Sequence, residues 1–323
     1  MIGSTLSAGT GALKRAASRL LELHPAGEIV RRIAGARGRS LVLVYHRIAS
    51  EPAAHHELVP RVPDDLFRRQ LDAIGNAVDL VPLQDLLQKP APIGGHGSAT
   101  RVAVTFDDDL RTHIDNALPV LDSLGVHATF FLSGRALHGL GGYWFELLEQ
   151  LIDSDGIHEV ARLLDVEPRE PAALAAALEG DAARQQTLSI ASPQNTPDVL
   201  QSEDIVALRD AGMTIGFHTL HHPVLTELSD ADLESSLVTG RDELGDLLGQ
   251  PLCLLAYPHG KADARVASGA RRAGYAAAWT GRPHAMGPGA DPYMLGRWEP
   301  GAIGIDDLLV KLAVRLNRPL PKL

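Results

Sequence analysis

Short apolar segments rich in β-branched residues alternate with segments of helical periodicity along most of this chain. The predicted strands lie at 41–45, 78–81, 102–106, 128–132, 214–218, 252–257 and 276–279. The predicted helices lie at about 66–74, 115–124, 202–211, 230–248 and 263–273. Such alternation is typical of parallel β/α architecture. About seven units after residue 40 predict an α/β fold in which one barrel is formed, rather than two small domains.

One region interrupts this alternation. Residues 135–200 are polar and helical in pattern, with helices predicted at 144–152, 157–164 and 172–178. We interpret the region as a helical insertion after the carboxyl end of a strand, the side on which such barrels carry their active sites. The predicted organisation is a basic N-terminal arm or helix at 1–40 and a barrel at 41–323.

The distribution of charge bears on the partners of the protein. The chain has 30 basic and 40 acidic side chains, a net charge of −10, which argues against nucleic acid as the main partner. Residues 1–40 alone carry a net charge of +5. This arm either packs on the domain or lies on an anionic membrane surface, and the sequence leaves both open.

Neither a secretion signal nor a run of 18 apolar residues is evident, so we expect a cytoplasmic location, with peripheral contact at the inner face of the membrane as the second option. The single cysteine, Cys253, excludes an intramolecular disulfide.

The residues with the clearest chemical meaning follow two of the predicted strands. Asp107 and Asp108 are adjacent carboxylates at the end of one strand, where like charges repel and a metal or shared proton would relieve them. His218 and His222 follow another strand, and a helical turn there would point both imidazoles the same way. Two histidines and one aspartate are a suitable set for a divalent metal.

These segments resemble the polysaccharide deacetylases, the NodB-homology or carbohydrate esterase family 4. Residues 102–131, VAVTFDDDLRTHIDNALPVLDSLGVHATFF, resemble the first motif region of that family, and His218-Thr219-x-x-His222-Pro223 resembles its second motif. Further segments at 41–48, 256–265 and 272–275 are similar to ones common in one branch. The resemblance implies a distorted (β/α) barrel of the NodB-homology type and removal of an acetyl group from a sugar.

The resemblance also implies roles for individual residues. Asp108, His218 and His222 would hold the metal, with zinc as the default and cobalt, nickel or manganese as alternatives. Asp107 would be the general base. A backbone N–H near Tyr257 or His259 would stabilise the oxyanion, and we favour His259.

Three departures from the family pattern affect the assignment. Asp109 stands where the family often has glycine, and it either tolerates the same backbone shape or adds a carboxylate to the metal site. Ala256 stands where many members have an arginine that orients the base, and Arg297, on a predicted late strand, is the proposed substitute. The terminal Leu-x-His motif that supplies a general acid is absent. His46 is the first candidate for that acid, and His259, His221 and His284 are the others.

Aromatic side chains complete the expected substrate site. Trp144, Trp298 and Tyr143 are candidates for stacking on a sugar, although Trp144 would equally serve to pack the insertion onto the barrel. The sequence therefore predicts a metal-dependent deacetylase of an N- or O-acetylated sugar in a cell-surface polysaccharide or its lipid-linked precursor. The alternatives are a metal-dependent hydrolase of a non-sugar amide, such as a cyclic ureide, and a degenerate barrel that binds glycan without catalysis.

Overall fold

A computed structural model describes residues 39–50, 57–88, 100–167, 170–191 and 199–317 of the chain. The predicted arm at 1–40 lies almost entirely outside these residues. None of the helices in the described ranges is both long enough and apolar enough to cross a membrane.

Parallel strands form the centre of the molecule. The strands are β1 (Ser40–Tyr45), β2 (Arg47–Ile48), β3 (Arg61–Val62), β4 (Asp79–Leu80), β5 (Arg101–Asp107), β6 (Thr129–Leu132), β7 (Thr214–Phe217), β8 (Leu254–Ala256) and β9 (Ala277–Trp279). The main sheet has the order β1-β5-β6-β7-β8-β9, with β4 beside the start of β5, and all its pairs are parallel. The sheet curls into part of a barrel, which confirms the predicted fold class.

The segment containing Arg297 joins the two edges of this sheet. The backbone of Leu295 is hydrogen-bonded to β9, and the backbone of Trp298 exchanges hydrogen bonds with Val42 and Val44 of β1. The predicted late strand is therefore present only as isolated bridges rather than as a regular strand. These bridges nevertheless bring residue 297 to the interior of the barrel.

Helices surround the sheet and fill the region between β6 and β7. They are α1 (Asp64–Ala77), α2 (Leu118–Leu124), α3 (Trp144–Asp155), α4 (Ile157–Leu163), α5 (Pro171–Leu178), α6 (Ala182–Ala191), α7 (Ser202–Asp210), α8 (Asp230–Ser236), α9 (Arg241–Leu248), α10 (Ala264–Arg272) and α11 (Ile305–Asn317). The helix predicted at 230–248 is two helices, because Gly240 adopts a φ of +83° between them. Helix α6 was not predicted.

The side chains of the strands alternate between two cores. In β5, Val104 and Phe106 pack outward against the helices, whereas Ala103 packs inside the barrel. This alternation with a period of two places Thr105 and Asp107 on the interior side as well. A strand of six consecutive buried residues therefore ends with a carboxylate directed into the barrel.

Candidate active site

The ends of β5 and β7 bring three potential metal ligands together. One ligand atom from each of Asp108, His218 and His222 lies within 4.8 Å of the others. Asp108 Oδ1 is 3.7 Å from His218 Nε2 and 3.6 Å from His222 Nε2. This spacing leaves room for one ion bound to all three at about 2.0–2.2 Å.

The backbone around these ligands is not helical. Asp108, Thr219 and His222 have φ values of +72°, +61° and +52°. The expected helical turn after β7 is therefore absent, and left-handed residues orient the two imidazoles instead. The buried hydroxyl of Thr219, the residue between them, has no hydrogen-bond partner among the described residues.

The protonation of these groups fits a metal site. Burial lowers the pKa of His218 to about 4 and that of His222 well below its usual value, so both imidazoles are neutral at pH 7. The ring Nδ1 of His218 donates to the Ala256 carbonyl at 2.8 Å, which leaves Nε2 free to bind a metal. Burial, helped by neighbouring carboxylates, raises the pKa of Asp108 to about 7, and its buried Oδ1 has no hydrogen-bond partner in the described chain. A cation would supply what this oxygen lacks, so the residues fit the divalent metal that the sequence implies.

Arg297 holds the second carboxylate of the pair. Its two terminal nitrogens donate to the two oxygens of Asp107 at 2.5 and 2.6 Å, and both side chains are buried. Burial alone would raise the pKa of Asp107, but Arg297, aided by His218 and His46, holds it at about 2. Asp107 is thus a fixed, ionised carboxylate whose Oδ2 lies 3.8 Å from Nε2 of His218.

His46 lies at the same cavity with a carboxylate partner that the sequence reasoning missed. Its Nδ1 is 2.8 Å from Oε1 of Glu299, a residue two positions beyond Arg297. Burial opposes protonation of His46, but the Glu299 contact, with the charges of Asp107 and Asp108, outweighs it and raises the pKa to about 9. In an extended chain, side chains two positions apart point to the same side, so the position of Glu299 relative to Arg297 could have indicated that it lies at the site.

The other candidates for the acid and the oxyanion donor occupy different positions. His221 is exposed, and neither it nor His284 lines the cavity. The backbone N–H of Tyr257 is used in a hydrogen bond to Trp279, and its buried hydroxyl donates to Tyr293. No backbone carbonyl of the described residues accepts the N–H of His259, which lies at the cavity with a φ of +56°.

Aromatic candidates divide between the core and the cavity. Trp298 is buried in the core with Arg315 over its ring at 4.0 Å, so the structure does not bring it to the substrate side. Tyr143 is buried too, and its hydroxyl accepts the backbone N–H of Asp109. Trp144 is partly exposed and lines the cavity with Phe145, while also packing against the helices between β6 and β7.

Asp109 serves the loops rather than the metal. Its two carboxylate oxygens accept the backbone N–H groups of Ser133 and Arg135 at 2.7 and 2.8 Å. The left-handed backbone that glycine would favour falls on Asp108, and not on Asp109. The alternative that Asp109 adds a second carboxylate to the metal site therefore finds no support in this geometry.

The cavity over these residues has a volume of about 530 Å³. Its floor comes from the strand ends and includes Asp107, Asp108 and Arg297. Its walls come from residues 58–60, from the start of α3 and from the alanine face of α5. The volume is in the range of small-ligand sites, and charged groups converge at one end of it.

Known proteins resemble this chain in sequence and in fold. The sequence model described as polysaccharide deacetylase matches residues 94–278, more than half of the chain. The chain belongs to the polysaccharide deacetylase family. As a polysaccharide deacetylase it is a hydrolase of carbon–nitrogen bonds other than peptide bonds, and the family acts on acetylated saccharides. A search of curated protein sequences found no significant match.

Solved structures of deacetylases share the fold of this deacetylase. The Streptococcus pyogenes deacetylase PplD, in complex with acetate, is 18% identical with a TM-score of 0.60, over 85% of this chain and 98% of that one. IcaB from Ammonifex degensii is 19% identical with a TM-score of 0.56, over 86% and 97%. A de-N-acetylase from Aggregatibacter actinomycetemcomitans is 12% identical with a TM-score of 0.55, over 84% and 99%.

Proposed function

We propose that this chain is a metal-dependent deacetylase that hydrolyses the N-acetyl group, or an O-acetyl group, of a sugar in a cell-surface polysaccharide or its lipid-linked precursor. The observation that carries the proposal is the convergence of the Asp108, His218 and His222 ligand atoms beside a fixed, ionised Asp107 in one cavity. Zinc is the default ion for this ligand set, and cobalt, nickel or manganese would also fit. When bound, the ion would polarise the acetyl carbonyl and acidify the attacking water.

The chain's own residues account for the proton transfers of amide hydrolysis. The Asp107 carboxylate takes the proton from the water whose oxygen forms the new bond to the acetyl carbon. Arg297 keeps that carboxylate ionised and in one orientation. The backbone N–H of His259 donates to the developing oxyanion, which the Tyr257 N–H cannot do because it is already bonded to Trp279.

His46 supplies the second proton. Because Glu299 raises its pKa to about 9, His46 is protonated at neutral pH and can donate to the nitrogen as the carbon–nitrogen bond breaks. The products are acetate and the free amine of the sugar. In this proposal the pair of His46 and Glu299 supplies the general acid.

The decisive experiment separates metal binding from turnover. We expect Asp107→Asn to retain near one metal per chain and to lose acetate release from N-acetylated oligosaccharides by a factor of about 10²–10⁴. Asp153→Asn, at an exposed position of α3, is the matched control and should keep wild-type activity. Retained turnover in Asp107→Asn would refute the assignment of the base.

The same assay tests the two alternatives. Metal bound without acetate release from any sugar would redirect the search to non-sugar amides. No metal under metal-replete conditions would favour a binding barrel without catalysis. The lining of the cavity by Trp144 and Phe145 supports a sugar substrate, since broad aromatic faces pack against apolar surfaces.

A lipid-linked substrate at the inner face of the membrane is a part of the proposal that rests on sequence alone. Its support is the net charge of +5 on residues 1–40. Sedimentation with anionic vesicles tests it. Unchanged sedimentation after removal of residues 1–40 would contradict it.

A further inference from the structure

Helix α5 forms one wall of the catalytic cavity. Ala172, Ala175 and Ala176, which share one face of the helix at spacings of three and four, line the cavity. The opposite face carries Leu174 and Leu178, which are buried in a cluster with residues of α3, α4 and α6. The helix is therefore anchored by packing, and its carboxyl end is held at the cavity.

Glu179 follows this helix and reaches across to the loop after β8. Its Oε1 is 3.3 Å from Nδ1 of His259 and 2.6 Å from Nζ of Lys261. The His259 ring also packs against the ring of His222, with the two ring centroids 4.5 Å apart. The ring is thus held between the end of α5 and the turn that carries a metal-ligand candidate.

The backbone of His259 needs such support. Its φ of +56° is in the left-handed region, which is unfavourable for a residue other than glycine. On the other side of the loop, Gly260 packs so closely on Gly281 that a Cβ at Gly260 would lie 2.5 Å from the Gly281 nitrogen. The loop is therefore blocked on the Gly281 side and held on the cavity side by the His259 ring.

We propose that Glu179 is a positioning residue, which fixes the His259 ring and thereby the backbone N–H that serves the oxyanion. This inference rests on the proposed function of the site. It makes the region between β6 and β7 part of the catalytic apparatus rather than a covering only. The proposal gives no such role to Lys261, which pairs with the same oxygen of Glu179.

Four variants test this role by steady-state kinetics of acetate release. Glu179→Ala should lower kcat about 10- to 100-fold with KM changed less than about threefold, because a displaced donor is lost mainly in the transition state. Glu179→Asp keeps the charge but is one methylene shorter, so it should resemble Glu179→Ala. Glu179→Gln keeps an oxygen at the same reach and should retain kcat within about fivefold. Lys261→Met, the matched control, should stay within about threefold of wild type, because a half-exposed ion pair contributes little.

Hydrogen exchange of the backbone at residues 254–262 supplies a readout that does not need activity. We expect faster exchange in Glu179→Ala and Glu179→Asp, and unchanged exchange in Lys261→Met and Glu179→Gln. An increase in KM with kcat unchanged would overturn the inference, since it would mean that Glu179 binds substrate directly. An equal loss in Lys261→Met would also overturn it, since it would mean that the ion pair only holds α5 in place. If wild type released no acetate from any sugar, the proposed function would fail, while the exchange comparison would still decide whether Glu179 fixes the loop.

Discussion

The buried pair of Arg297 and Asp107 permits a quantitative test of how the base is held. The two side chains are 2% and 5% exposed and share two hydrogen bonds. Holding the pKa of Asp107 at about 2, against its ordinary 3.8, corresponds to about 2 kcal/mol in favour of the folded, charged form. Because this pKa is lowered, the contribution is complete above about pH 4 and is lost as the pH falls towards 2.

Arg297→Met removes only one partner and leaves a buried carboxylate without a cation. Breaking a buried pair in this way costs about 3–5 kcal/mol of unfolding free energy. Asp107→Asn combined with Arg297→Met removes both charges of the pair, so the double variant should be at least about 1 kcal/mol more stable than Arg297→Met. Arg69→Met removes an exposed pair with Asp65 and serves as the control, with an expected loss below about 0.5 kcal/mol.

Urea unfolding at pH 7 with excess chelator measures these free energies without a contribution from bound metal. Equal slopes in urea would show that the variants unfold from comparable native states. A loss below about 1 kcal/mol in Arg297→Met would refute the reasoning. So would a double variant whose loss equals the sum of the two single losses, because independent sites add and coupled ones do not.

The remaining predictions concern the metal, the acid and the loops. The double variant His218→Ala, His222→Ala should lose the bound metal by elemental analysis, and retained metal would contradict the assignment of the ligands. Glu299→Gln should lower the pKa of His46 from about 9. The alkaline limb of the pH profile of kcat/KM should therefore move to lower pH by at least about one unit. An alkaline limb at an unchanged pH would exclude His46 as the general acid. Asp109→Ala should cost about 2–6 kcal/mol of unfolding free energy, since it leaves two backbone N–H groups without an acceptor. The metal content of this variant should be unchanged. Loss of metal would show that Asp109 is a ligand.

The fold could be predicted because strand and helix patterns are local. Most predicted strands lie within two residues of the observed ones, and the barrel follows from their order. The break at Gly240 was missed because apolar periodicity continues across it, and the positive φ of Gly240 is visible only in the backbone. Helix α6 was missed because its residues, Ala182–Ala191, have little apolar periodicity.

The candidate site was predictable where the residues are adjacent in sequence. Asp107 and Asp108 form a recognisable pair, as do His218 and His222. Contacts between distant segments were not readable, and the contact of Glu179 with His259 joins residues 80 positions apart. Trp298 illustrates the opposite error, because an aromatic residue near the end of the barrel was equally compatible with the core, where it packs.

The left-handed backbone at the site has a consequence for efforts to improve this protein. Five non-glycine residues of the described chain have positive φ, and three of them line the cavity: Asp108, His222 and His259. A fourth, Thr219, follows His218 directly. Each such residue costs about 1 kcal/mol or more relative to an unstrained one. A laboratory selection for heat resistance would therefore favour glycine at these four positions, and the most thermostable variants would be among the least active. Selection for durability should spare them and act on the outer helices instead.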